Sequence, residues 1–216
     1  MLYIHKMLKK NKMFIINSIY YDTFISLGYN CTVANFLKNN LYRKCSLPFD
    51  WVLVDLEYII QCFKEDFNNF FNKKNFKEIN YYGKPAGELN NKKERLITYV
   101  HDGKYTNLIN NEEYYTFQQN KYKRRINKLY ENLNTKQNVL LILYEINTTI
   151  QKLDDFINCL KKKNFKCNLY LLIFTKNKDL KKFSDNTIYI EYNININKKY
   201  IELFLCKNIN GRKYSK

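Results

Sequence analysis

The strongest constraint on the fold lies in the second half of the chain, where two near-continuous apolar runs, Asn138–Tyr144 and Asn168–Thr175, bracket a helix-periodic stretch. Strands without polar alternation must be covered on both faces. Between them, Ile150, Leu153, Phe156, Ile157 and Leu160 recur at helical spacing across Thr148–Lys163, and Thr148 with Gln151 makes a capping-box pattern. A strand, a crossover helix and a second covered strand form a parallel βαβ unit. The expected fold is therefore α/β, with a central mixed, largely parallel sheet and helices on both faces. An α+β arrangement is the alternative.

The remaining elements are placed around that unit. Residues 22–27 read as a short strand, followed by a helix over residues 31–41 whose apolar positions are Val33, Phe36, Leu37 and Leu41. Asp55 caps a second helix bearing the stripe Leu56, Ile59, Ile60, Phe63, Phe67 and Phe70. Residues 72–94 have no clear period and are expected as an inserted loop region, and Arg95–Val100 as a strand. A long basic helix is expected over 112–133, a more exposed strand over 187–194, and an apolar element of undecided type over 200–206. Residues 1–20 read as a basic N-terminal arm and 21–216 as a single domain.

The chain carries 37 Lys+Arg against 20 Asp+Glu, a formal charge of +17, which points towards anionic partners. The lysines are spread throughout, without aromatic-interleaved RNA-binding motifs, so a solvated basic surface explains most of them. Lys121, Lys123, Arg124 and Arg125 are the densest cationic group and the candidate polyanion contact. No stretch approaches the roughly 18 apolar residues of a membrane span, and no secretory signal is recognisable. The six cysteines have neither C-x-x-C pairs nor zinc-like spacing, so reduced thiols, a cytoplasmic setting and no metal or cofactor are expected. Gly-rich nucleotide motifs and a Gly-x-Ser-x-Gly elbow are missing.

Candidate chemistry gathers at Ser26-Leu27-Gly28-Tyr29-Asn30-Cys31. Asn30 is a favoured N-cap, which puts Cys31 at the start of a helix, where free amides and the helix dipole favour a thiolate and can hold an oxyanion. Gly28 lets the strand turn sharply into that helix. The competing reading is a small buried cysteine. A nucleophilic cysteine ordinarily needs an imidazole base, and His101 is the only histidine beyond the N-terminal arm. In Pro48-Phe49-Asp50-Trp51 the aromatic residues anchor the core, and Asp50 either accepts from backbone amides or orients another side chain.

These motifs resemble a family of bacterial and viral domains described as putative papain-like cysteine peptidases. The likeness rests on Ser26-Leu27-Gly28 with Cys31, on Pro48-Phe49-Asp50-Trp51, on His101-Asp102 after a strand, on Arg125 and on the strand Val139–Tyr144, and spans roughly Tyr21 to Thr175. It implies that Cys31 is the nucleophile and His101 its base. Asp50 or Asp102 would orient the imidazole, and Ser26, Gly28, Asn30, Trp51 and Arg125 would contact a peptide, amide or ester substrate.

Two other functions remain open at this level. One is a non-catalytic module that binds a polyanion through Lys121–Arg125. The other is a layered α/β enzyme acting on glycans or phosphorylated substrates at the carboxyl ends of its strands, with Ser26, Asp50, His101 and Arg125 as polar contributors and no cysteine nucleophile.

Overall fold

The computed structural model describes residues 15–16, 19–73, 76–81, 84–91, 94–99, 110–145, 148–183, 188–193 and 195–209. In chain order the elements are β1 (Ile15–Ile16), β2 (Ile19–Tyr20), β3 (Thr23–Ser26), α1 (Thr32–Asn39), β4 (Leu53–Val54), α2 (Leu56–Lys64), β5 (Phe76–Tyr81), β6 (Lys84–Asn91) and β7 (Glu94–Tyr99). They continue as α3 (Glu112–Thr135), β8 (Asn138–Tyr144), α4 (Ile150–Lys162), β9 (Asn168–Thr175), a 3-10 turn (Lys178–Phe183), β10 (Ile188–Tyr192) and α5 (Lys198–Ile209).

The central sheet has the order β10-β9-β8-β3, and every pair in it is parallel. The βαβ unit occupies its middle, as the apolar runs predict. Alternation along β8 sends Val139, Leu141 and Leu143 to one face and Leu140, Ile142 and Tyr144 to the other. The first face packs against α2, α3 and α4 through residues such as Phe63, Leu129 and Phe156, and the second against α1 and α5 through Val33, Leu37, Ile201 and Leu205. The fold is thus a layered α/β sandwich, and the wholly parallel central sheet decides against the α+β alternative.

A second sheet, β4-β7-β6-β5, is antiparallel throughout. Residues 72–94, expected as an inserted loop, in fact contribute β5 and β6 to it. Strand pairing is a long-range hydrogen-bonding property, so a sequence without strong period 2 still forms ladder where a partner edge is presented. The buried side chains of Ile97 and Tyr99 tie this sheet into the first core face. Within the expected basic arm, β1 and β2 pair antiparallel; residues 1–14 and 17–18 lie outside the described ones.

The helices start where side chains supply acceptors. Asp55 Oδ1 accepts from Tyr58 N at 2.9 Å, Asn111 Oδ1 from Tyr114 N at 2.8 Å, and Thr149 Oγ1 from Lys152 N at 3.3 Å. Each such cap stabilises by about 1 kcal/mol. The third corrects the expected capping box by one residue: Thr148 is buried and its carbonyl accepts from Asn177 Nδ2 at 2.8 Å, which leaves Thr149 to cap. The undecided element at the C-terminal end is helical, α5. Among the described residues no helix is long and apolar enough to cross a membrane.

Candidate active site

The turn from β3 into α1 is held from both sides of the molecule. Leu27 N extends the parallel pairing by donating to Ile142 O at 2.9 Å, and Tyr29 N donates to Val54 O at 3.1 Å. Gly28 has φ +94°, and a Cβ there would lie 2.2 Å from Val54 Cγ1. Both the left-handed backbone and the lack of room require glycine. Tyr29 is also left-handed, at φ +66°, and its ring meets Tyr144 edge-on with centroids 5.0 Å apart. Burial, then Tyr29 and Glu145, push the Tyr144 hydroxyl pKa upward.

Cys31 is the N-cap residue of α1 and half-buried, one position earlier than a first helical residue. Its carbonyl accepts from Asn35 N at 2.8 Å, while Asn30 Oδ1 takes Thr32 N at 2.9 Å. Asn30 therefore satisfies a first-turn amide from just outside the helix, and the amides of Val33 and Ala34 have no intrahelical carbonyl to bond. The thiol stands at the positive end of the helix. Beneath α1, Ser26 is fully buried on the same face of β3 as Phe24, and its Oγ has no hydrogen-bond partner among the described residues.

The Pro48–Trp51 segment seats this turn: Phe49 Cβ and O both lie 3.7 Å from where a Cβ on Gly28 would stand. Asp50 is fully buried, and its Oδ2 accepts from Arg43 Nη1 and, at 2.6 Å, from Leu47 N. Arg43 is the residue that sequence reasoning missed. A buried carboxylate demanded a partner, but a pairing seven residues apart in an aperiodic connection has no local signature. Burial and the nearby Arg125 charge lower the Arg43 pKa to about 10, so it is charged opposite Asp50 at neutral pH. The other oxygen, Oδ1, is buried without a partner among the described residues. Trp51 donates from Nε1 to Ser46 Oγ at 3.0 Å, with the Arg43 guanidinium 4.9 Å and the Lys38 ammonium 5.5 Å from its ring centre.

His101 and Asp102 lie outside the described residues. The strand before them, β7, pairs Thr98 with Leu53 and Ile97 with Val54. The structure therefore brings together Ser26, Gly28, Asn30 and Cys31 in one turn and sets Asp50 and Trp51 behind it. Arg125 lies near the Arg43 guanidinium that pairs with Asp50, stacks over Tyr122 at 5.0 Å, and lines a cleft with Cys45 and Ser46 that Cys31 does not line. Sequence reading named the strand carboxyl ends as a site but not the residues at those of β8 and β9, where Asn177 bridges Thr175 and Thr148, and where Thr148 Oγ1 is buried without a partner among the described residues.

Of the other thiols, Cys206 is half-buried like Cys31. Cys62 is buried, and burial holds its pKa well above the usual thiol value; burial also raises Cys159 and Cys167. Cys45 is exposed. Cys31 is the one of these that stands at the N-cap of a described helix, without a side-chain cap hydrogen bond, a kind of position where helix amides can hold an oxyanion.

A family model described as "Putative papain-like cysteine peptidase (DUF1796)" matches residues 22–176. No curated protein and no solved structure matches the chain.

Proposed function

The chain belongs to the family of putative papain-like cysteine peptidases, and on that premise we propose that it is a cysteine hydrolase acting on a peptide, amide or ester. The observation that carries this reading is the placement of Cys31 at the N-cap of α1, half-buried, with first-turn amides beside it. Cys31 Sγ attacks the substrate carbonyl as thiolate, and the amides of α1 receive the developing oxyanion. His101 is assigned as the base that takes the thiol proton, gives it to the leaving group as the C–N or C–O bond breaks, and then takes a proton from the water that hydrolyses the thioester and frees Cys31. Asp50, whose Oδ1 remains an unused acceptor, or Asp102 orients the imidazole. Asn30, Gly28, Ser26 and Trp51 shape the turn the substrate would meet. The setting is cytoplasmic, with reduced thiols.

Alkylation rates test this. If exposure alone ruled, exposed Cys45 would react before half-buried Cys31. Under mild iodoacetamide at neutral pH, resolved by peptide mapping, we expect Cys31 to react at least about tenfold faster than Cys45, as activated thiols do. A thiol-directed activity probe labels wild type and not Cys31→Ser. Cys45 reacting first would rule the nucleophile out and favour a layered α/β enzyme without one. The wholly parallel sheet and the buried hydroxyls of Ser26 and Thr148 near its strand ends support that second reading.

A further inference from the structure

The chain has only five arginines among its 37 Lys+Arg, and three of them, Arg43, Arg124 and Arg125, gather between the Arg43–Trp51 connection and α3. Arginine is the cation whose planar fork matches phosphate and carboxylate oxygens. The place is a cleft of about 580 Å³, lined by Ser46, Arg124, Arg125, Asn127, Lys128 and Glu131, with Cys45 beside them.

The charges there do not balance internally. Arg43 is committed to Asp50, and Lys128 Nζ to Glu131 Oε1 at 2.5 Å. Those pairs use the carboxylates at hand and leave Arg124 and Arg125 without one among the described residues. Arg125 Nη1 is fully buried and has no acceptor among them, a state that is costly for a charged donor unless something supplies an oxygen. The Tyr122 ring, 5.0 Å away, fixes the plane of that guanidinium. At the cleft wall, Ser46 Oγ already accepts from the Trp51 indole at 3.0 Å, so its own proton is free to donate.

We infer that this cleft binds the phosphoryl group of a small phosphate ester, with Arg125 and Arg124 as fork donors and the Ser46 hydroxyl and Asn127 amide completing the oxygen shell. A phosphate dianion answers two unpaired cations, whereas a single carboxylate answers one. The volume falls in the range of small-molecule sites, roughly 300–1,000 Å³, so the organic part of the ester is accommodated as well. A polyanion following α3 would use other groups: Lys121 and Lys123 do not line the cleft, and Lys123 is exposed. The site is independent of the thiol reading, because Cys31 takes no part in it.

Calorimetric titration at constant ionic strength tests this with three probes: inorganic phosphate, ribose 5-phosphate and a single-stranded oligonucleotide. The full chain should bind ribose 5-phosphate saturably, with Arg125→Gln weakening it by about tenfold or more, as loss of a charge-assisted pair implies. Arg125→Lys should fall between, and Lys123→Gln should match wild type. Melting curves taken in parallel show whether each variant is folded. Should Arg125→Gln not fold, Ser46→Ala takes its place, with a loss of about threefold expected for one neutral donor. Inorganic phosphate binding as well as the ester marks the free ion as ligand, and weaker binding marks the ester; both retain the phosphoryl site. No saturable binding of either phosphate probe at millimolar concentration overturns the proposal. So does unchanged affinity in a folded Arg125→Gln, and so does binding confined to the oligonucleotide.

Discussion

The two faces of the parallel sheet are built to different plans. One is an aromatic lattice in which Phe49 meets Phe67 and Phe70 at 5.6 Å, Phe71 meets Tyr122 at 5.1 Å, and Tyr99 of the second sheet meets Tyr122 at 5.2 Å. It locks α2, α3, α4 and the antiparallel sheet together. Among the described residues the other face carries the helices α1 and α5, and mixes rings such as Phe24, Phe36, Tyr42 and Phe174 with Val33, Leu37, Leu140, Ile142, Ile201 and Leu205. Cys31 belongs to both. Its helix rides on the second face, while its turn is seated on the first through Gly28, Val54 and Phe49. The seat of the glycine in that turn therefore lies on the face that the cysteine's own helix does not touch.

The largest test of that contrast is Phe49→Ala. Emptying a fully buried ring site in the lattice should cost about 3–5 kcal/mol in urea denaturation, and it should slow Cys31 alkylation relative to Cys45. An unchanged rate ratio in a folded variant would break the link between lattice and thiol. Gly28→Ala comes next. The left-handed backbone costs roughly 1–3 kcal/mol, and the clash with Val54 adds overpacking of about 1–3 kcal/mol. Adding Val54→Ala should recover the clash part and not the backbone part, which a double-mutant cycle measures. The smallest effect belongs to the other face: Ile201→Val should cost about 0.5–1.5 kcal/mol and leave the Cys31:Cys45 ratio unchanged. A shift in that ratio would mean that both faces position the thiol.

How much of this was legible depends on how local each cause is. The strands Asn138–Tyr144 and Asn168–Thr175 stand at the residues their apolar runs indicate, because such runs have no stable alternative to double coverage. The caps at Asp55 and Asn111 are contacts within one helical turn, and the Asp55 cap is plain in the sequence. Thr148 and Thr149 are chemically equal cap candidates, and only the bond from Asn177, a residue of the next loop, draws the first inward. Strands β5 and β6 escaped notice because their stability is a ladder shared with β7, not a pattern of their own. Of the candidate site, the turn Ser26–Cys31 was legible as strand, glycine and cap; the Arg43 partner of Asp50 was not.

The amino-acid sequence by itself determined the layered α/β class, the βαβ unit, the need for glycine at position 28 and the start of a helix at Cys31. Each follows from periodicity, backbone sterics or capping within a few residues. Tertiary structure alone decided that the chain's antiparallel strands form a sheet of their own, that Val54 and Phe49 seat the cysteine turn, that Arg43 neutralises Asp50, and that Arg124 and Arg125 line a cleft whose carboxylate, Glu131, is paired with Lys128. Those outcomes turn on which distant side chains meet once the sheet closes, and spacing along the chain carries no record of that.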